Sequence, residues 1–561
     1  MPPRLASPPR WLRPAILCLS ALLLLAWFTP DMSDSDAWWH LRTGQYIWQT
    51  HKLPVPDPFA YTTGMGKPAY PGEPVTRYFN LTHEWLAQVI FYLAYAVAGF
   101  PGLILLRAAL LTGFCAAVGL IAFYRTNQFY RGVAAALLAA TVAWRYTSDR
   151  PYLITFLFLA LVVLMLERRR RLWLLPPLFL IWANCHGGYF LGWAALGAYC
   201  IESLWRKSSE RALWIVSAIA VLVCGLNPNG FRAIPILLAY RQSPLQSVLW
   251  EWQRTVFWPP QMFGIVLAAG ALALVWARRR SRPADWILLL LFGGAAVAAV
   301  RNIILIGLIG PVLLAAYVPW SRVLPVAAEY LSALAVLAAL AVRLAGGAAF
   351  QLGPADWRYP RLAADFLLAH HVTAPLFNSY ENGGYLIWRL WPQERVFIDG
   401  RALNESVFQD FRRMASNAAA DPTGPSGEEL LLRYGIQVIV MEGFEPDSGN
   451  VWLLPAALSD PAQKEWKLVY RDAQAVIYMR HPPPGVEPLN SFDALAAFES
   501  QCQEFLEHSP AQNRCARGLA ILFDQIGDAA RARRWMSTFM AVRAFQDPAD
   551  DAYYQRMLSG R

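Results

Sequence analysis

Apolar residues in this chain gather into long runs rather than alternating with polar ones, and the runs stop near Gly347. The first, Ala15 to Pro30, is long enough to enter a bilayer, and a full-length run, Leu103 to Tyr124, follows a polar interval. Just before it, His83-Glu84-Trp85-Leu86 opens a shorter apolar stretch to Ala98, broken at Gly99-Phe100-Pro101-Gly102. Its polar start predicts a helix lying on the outer leaflet. Further runs at 132–145, 152–166, 172–184, 188–205, 212–226, 261–277, 284–300, 302–318 and 323–342 complete a pattern of about eleven spans. Several fall short of the ~20 residues a perpendicular helix needs, as expected where helices line a water-filled cavity.

After the last run the pattern changes to that of a small α/β unit. Helix is predicted over 361–370 and 428–434, and strands over 375–378, 385–389, 395–398 and 437–441. A hairpin closes it over 466–471 and 475–480 around Asp472-Ala473-Gln474. Pro482-Pro483-Pro484-Gly485 reads as a linker. Residues 490–559 then read as about three amphipathic helices like one tetratricopeptide-type hairpin, which packs on the α/β unit or docks a protein partner. The expected domains are a membrane part, 1–348, that includes an outer loop 31–100, an α/β domain, 349–482, and a helical tail, 486–561.

Composition agrees with a polytopic α-helical membrane protein. The 561 residues are 56% hydrophobic and only 16% charged, where a soluble protein carries nearer a quarter charged residues. The net charge of +10 does not mark a nucleic-acid binder, because Arg clusters in short loops such as Glu167-Arg168-Arg169-Arg170-Arg171 and Arg278-Arg279-Arg280. Such loops mark a cytoplasmic face. Bulky Trp27-Phe28-Thr29-Pro30 offers no small-x-small cleavage site, so the first run is expected to stay as a helix with a cytoplasmic N-terminus. Eleven spans then put the C-terminal domain outside. There Cys502 and Cys515, on neighbouring helical patterns, are either bridged or two buried thiols.

Candidate chemistry starts where the first run ends, at Asp34-Ser35-Asp36-Ala37-Trp38-Trp39-His40. Two carboxylates at a bilayer edge suit metal or phosphate-metal binding, or a base that activates a hydroxyl. The competing view is a polar helix end anchored by Trp38 and Trp39. On the same side fall Asp149-Arg150-Pro151, Asn184-Cys185-His186-Gly187-Gly188, Asn227-Pro228-Asn229-Gly230, Trp250-Glu251-Trp252 and Arg301-Asn302, whereas the opposite face reads as nearly all Arg.

An Asp-x-Asp element after the first helix, an extended first outer loop, a His-led interfacial helix and a soluble outer tail resemble the GT-C superfamily of membrane glycosyltransferases. Asp34-Ser35-Asp36-Ala37-Trp38-Trp39-His40 is similar to the first acidic motif of oligosaccharyltransferase catalytic subunits. His83-Glu84-Trp85-Leu86 occupies the place of the His-Pro-Pro-Leu element of the arabinosyl- and mannosyltransferase branch, without its prolines. Over roughly residues 15–480 the chain also resembles a bacterial group of polytopic proteins. That group shares Asp-x-Asp-x-Trp-Trp-His-Leu, Asp-Pro-Phe-x-Tyr-Thr, His-Glu-Trp-Leu, Gly-Gly-Tyr-Leu-Ile-Trp (383–388) and Phe-Ile-Asp-Gly-Arg (397–401).

The resemblance implies a GT-C-like hexosyl- or pentosyltransferase of the bacterial inner membrane. It would take a sugar from a polyprenyl-phosphate donor to a glycan, lipid or protein acceptor at the extracytoplasmic face. In that scheme Asp36 is the candidate base, with Asp34 its partner or a ligand for a divalent metal such as Mg or Mn. Arg301 and Arg150 are candidates for the donor phosphate, since planar guanidinium matches phosphate geometry. His40, His83, Glu84, His186 and Glu251 are candidate substrate contacts. Each has a plainer alternative: helix-end snorkelling for Arg301, a polar turn for His186, N-capping for His83 and Glu84, and interfacial anchoring for Glu251. The rival functions are a transporter or flippase-like protein for lipid-linked glycans and a non-catalytic envelope scaffold. Polar residues at mid-membrane and inverted repeats, expected of a transporter, are not evident.

Overall fold

The computed structural model describes residues 9–208, 210–232, 235–236, 249–319, 326–422, 424–445, 448–508, 513–543 and 546–559. The start of the predicted 323–342 span lies outside them. The chain forms two compact units, one of residues 1–55 and 74–354, the other of 56–73 and 355–561.

The first unit is helical. Its main helices are α1 (Leu12–Trp27), α2 (Asp36–Thr50), α3 (Glu73–Thr82), α4 (Trp85–Thr126), α5 (Phe129–Ala143), α6 (Tyr152–Arg168), α7 (Leu175–Cys185), α8 (Tyr189–Trp205) and α9 (Arg211–Val223). They continue with α10 (Met262–Trp276), α11 (Pro283–Ala298), α12 (Ile304–Tyr317) and α13 (Val326–Ala345). α4 is two helices joined at a kink where Ala98 and Gly99 leave helical geometry, Gly99 at φ +63°. Glycine tolerates that left-handed backbone, so the sequence break sets where the first piece of α4 ends and the second begins.

Contacts between helix ends show the alternating course of the chain. At one end Arg125 donates to both oxygens of Asp285 (2.8 and 2.6 Å), and Arg282 donates to Glu202 (2.8 and 2.7 Å) and Glu167 (2.7 Å). Tyr199 and Tyr317 hydroxyls donate to Glu167 and Asp285. One ion cluster therefore ties the ends of α4, α6, α8 and α12 to the start of α11. This corrects the expectation of a nearly all-Arg face. The acidic partners were missed because they pair at long range, Asp285 with an arginine 160 residues away. At the other end Arg145 donates to Gln261 (2.8 Å), and the Tyr146 hydroxyl donates to the Val300 carbonyl (3.1 Å).

Among the described residues two helical stretches, Glu73–Thr126 and Val326–Ala345, are long and apolar enough to cross a bilayer, and other apolar helices run 10–17 residues. Their flanks leave Leu22, Ile219, Leu222, Leu272, Leu290, Leu331 and Val342 exposed. Trp11, Trp173, Trp205 and Trp276, at or beside the helix ends that carry the Arg-rich loops, are exposed, as are Trp144, Trp250 and Trp258 near the opposite helix ends. Exposed apolar flanks with tryptophans near helix ends suit a polytopic helical membrane protein.

The second unit holds a four-stranded sheet of order β1-β2-β4-β3, from β1 (Leu376–Asn378), β2 (Val438–Met441), β3 (Lys467–Arg471) and β4 (Val476–Met479). β1 and β2 are parallel and the other pairs antiparallel. Two predicted strands are absent. Residues 385–389 lie in the helix Tyr380–Leu390, which Ser379 starts by accepting from the Asn382 N–H (3.4 Å). Residues 395–398 supply only an isolated bridge, Val396 to Ala60. That bridge belongs to a segment the domain boundaries misplaced: residues 56–73 fold into this unit. Arg401 fixes the segment, donating to Asp57 (3.0 and 3.2 Å) as well as to Asp399 (2.7 Å). Among the described residues the tail has four helices in place of about three: Asp493–His508, Arg514–Gln525, Ala529–Val542 and Pro548–Ser559. Its first helix packs on the α/β part through Gln501, which accepts from the Gly443 N–H (2.8 Å).

Cys502 and Cys515 are bridged across 13 residues. Replacing both with serine is expected to cost the tail about 3 kcal/mol, the loop-closure entropy of a ring this size. The loss would be seen as faster proteolysis of residues beyond 490.

Candidate functional site

The acidic motif sits on the turn into α2. Asp34 Oδ1 accepts the Asp36 N–H (3.0 Å), which closes the turn and sets both carboxylates side by side. Arg150, on the turn before α6, answers them with its whole fork. Nε and one terminal nitrogen donate to the two Asp34 oxygens (2.6 and 2.9 Å), and the other lies 2.9 Å from Asp36 Oδ2. Bidentate geometry fixes the pair in direction as well as charge. Burial raises Asp34, but Arg150 outweighs it and holds that carboxyl below the usual range. Asp36 goes the other way. Burial pushes it up, Arg150 pulls back only in part, and the charges of Asp34 and Glu251 add to the rise, leaving it at about 6. Two neighbouring carboxylates with separated pKa values divide into a fixed anion and a proton acceptor that titrates near neutrality.

A second group centres on Glu84. His83 Nε2 lies 3.3 Å and His186 Nε2 3.7 Å from Glu84 Oε1, and His40 Nδ1 lies 3.9 Å from Oε2. The His83 Nδ1 faces the Phe79 carbonyl at 2.8 Å, so it must carry a hydrogen. Its other nitrogen, Nε2, then faces the Glu84 carboxylate. His186 is held differently. Its Nδ1 accepts from the Gly188 N–H (3.0 Å) and from the Thr155 hydroxyl (2.8 Å), which itself accepts from Trp182 Nε1 (2.7 Å). The proton of neutral His186 is therefore on Nε2, aimed at Glu84. Burial pushes both His186 and His40 down to about 3, so each is neutral at physiological pH.

The His186 loop needs its glycine for this. A Cβ on Gly188 would come within 2.8 Å of the Thr155 methyl and 2.9 Å of His186 Nδ1. His186 thus forms the polar turn the sequence allows, closed by the Gly188 N–H, and that turn holds the ring in one tautomer. N-capping of α4 by His83 and Glu84 is set aside, since Glu84 makes no side-chain cap bond. The Asn184 and Asn229 loops are supports: Asn184 accepts from Trp85 Nε1 (2.8 Å) and Asn229 donates to Thr82 Oγ1 (3.0 Å), clamping both sides of His83-Glu84.

Arg301 lies over the Trp252 ring, 4.3 Å from its centroid. Its turn is held by Tyr146, whose hydroxyl donates to the Val300 and Arg301 carbonyls (3.1 and 3.3 Å). Among the described residues no carboxylate pairs with Arg301. The Trp252 ring, next to the candidate Glu251, therefore carries this guanidinium. Arg150, expected on a phosphate, is committed to carboxylates. The groups share one electrostatic neighbourhood: Asp34 and Glu84 both act on His40, and Arg301 acts on His186.

The donor set does not suit a divalent ion at Asp34, whose two oxygens both accept from Arg150. Among the described residues no cluster of three or more His, Cys, Asp or Glu side chains has metal-holding geometry. Sequence inspection missed Tyr146, Thr155 and Arg107. Only Arg107 had a visible signal, a charge inside an apolar run.

No protein-family model matches the chain, and no curated protein matches it. Among solved structures, the crystal structure of ArnT from Cupriavidus metallidurans in the apo state is similar over 84% of this chain and 97% of that chain. The identity is 14% and the TM-score 0.42, a likeness too loose to transfer chemistry.

Proposed function

We propose that this chain is a GT-C-like membrane glycosyltransferase that moves a sugar from a polyprenyl-phosphate donor to an acceptor at the extracytoplasmic face. The observation that carries this is Asp36: a carboxylate with a pKa near 6, locked beside Arg150 and Asp34 at the end of the bundle away from the Arg-rich loops. A base of that strength takes the acceptor proton as the acceptor oxygen or nitrogen bonds to the sugar C1. The C1–O bond to phosphate breaks, and its electron pair leaves with the lipid phosphate. Arg301, a cation without a carboxylate partner among the described residues, offsets the charge that develops there. The Glu84 group is suited to hold sugar hydroxyls, since it offers donors and acceptors in fixed directions.

The orientation is supported by two independent features. Arg-rich loops favour the cytoplasmic side, and a disulfide in the second unit suits an oxidising compartment. The N-terminus is then cytoplasmic and the second unit extracytoplasmic. The test is transfer from a labelled polyprenyl-phosphate sugar by protein in nanodiscs. No transfer with any sugar, alongside tight binding and movement of the intact lipid between leaflets, would make the chain a flippase. In the same assay Arg301→Gln is expected to raise the donor KM about tenfold or more, the loss of one charge-assisted contact.

A further inference from the structure

Arg107 lies in the part of α4 that follows the kink and is 1% exposed. Its guanidinium reaches four acceptors on two separate chain segments. Nε donates to the Phe28 carbonyl (3.3 Å), and one terminal nitrogen donates to the Pro30 carbonyl. The other donates to the Thr147 carbonyl (3.2 Å) and to Asp149 Oδ2 (2.7 Å). The first segment runs on from Pro30 into Asp34 and Asp36. The second runs from Asp149 directly into Arg150. A charge balance alone would need only Asp149, whose other oxygen has no partner. Three carbonyl contacts go beyond charge balance, and each sits within six residues of the ion pair it adjoins.

We propose that Arg107 is a positioning residue that sets the separation between the Asp34–Asp36 turn and Arg150, a role that rests on the transferase assignment above. A planar fork can hold both segments at once in fixed directions, which the single ammonium of lysine does less well. With the tether gone, each segment keeps its own turn but the two lose their common reference. Asp36 then meets the acceptor proton in fewer encounters, while donor binding at Arg301 is left as it was.

Arg107→Ala would strand Asp149 as a buried unpaired charge, so the variant to use is Arg107→Met with Asp149→Leu, which removes both charges together. Hydrogen exchange of the full chain in nanodiscs is expected to speed about tenfold in peptides covering 28–37 and 144–151 together, with the α12 peptides unchanged. Donor KM should stay within about twofold while kcat falls about 100-fold, the size expected of a misplaced reacting group. Arg107→Lys should lie between. A double variant that melts normally and shows unchanged exchange in either segment, or unchanged kcat, overturns the proposal. The exchange arm needs no activity, so a wild-type chain that transfers nothing sinks the transferase assignment and leaves the tether to be judged on exchange alone.

Discussion

Asp36→Asn is expected to lower sugar transfer by about 10²–10⁴-fold, the range for loss of a general base. The substitution keeps the shape of the side chain, and Arg150 keeps both oxygens of Asp34. Folding should therefore survive. The pH dependence has a definite sign. Burial raises Asp36 to about 6 against an ordinary value of 3.8, so the folded protein holds that proton more tightly than the unfolded chain. Between those two values rising pH ionises the unfolded carboxyl first, and this group's contribution to stability falls. Activity moves the opposite way, climbing through pH 6 as the base form appears. In the asparagine variant the climb and this part of the stability slope should both be missing. Rate profiles from pH 5 to 8 and melting curves from about pH 3.5 to 8 check the two together, and a variant with the wild-type acid limb would show that another group is the base.

Asp285→Ala is expected to be the most damaging single change to stability, at about 3–5 kcal/mol. It leaves Arg125, buried at the opposite end of the bundle, with Glu167 at 4.0 Å as its acidic partner and the neutral Tyr317 hydroxyl at 3.2 Å. Asp285→Leu and Arg125→Met introduced together should restore most of the loss, because no charge is then stranded. Thermal melting of the three proteins in one detergent compares them directly. If the single change melts within a degree or two of wild type, the cluster does not hold the helix ends as described.

Which parts were legible from sequence follows from the range of the interactions. The apolar runs, the break at Gly99 and the closing hairpin depend on neighbours a few residues away, and the structure has helices, a kink and a hairpin there. Asp34, Asp36 and His83-Glu84 were singled out because charge at a bilayer edge is costly and so conspicuous. What joined them was not legible. Arg150 reaches Asp34 across 116 residues, and His186 meets Glu84 from a separate loop. Local preference also misled at Gly383-Gly384-Tyr385-Leu386-Ile387. Aromatic and β-branched content suggested a strand, but the Ser379 cap and the burial of Gly383, Leu386, Ile387 and Leu390 on one face make it a helix. The carboxylates of the ion cluster were overlooked for a similar reason: beside a run of arginines, a lone Glu167 looks like ordinary surface charge.

Residues 56–73 leave a last consequence, in time rather than in space. The partner that fixes Asp57 is Arg401, made 344 residues later. At roughly 5–20 residues per second the ribosome needs about 20–70 s to supply it. Throughout that interval Phe59, Ala60 and Thr62, all buried in the finished unit, wait without their neighbours while the helices after them enter the bilayer. Expression of residues 355–561 alone would omit that segment altogether, so the second unit is not a module that can be cut from the chain at a single point.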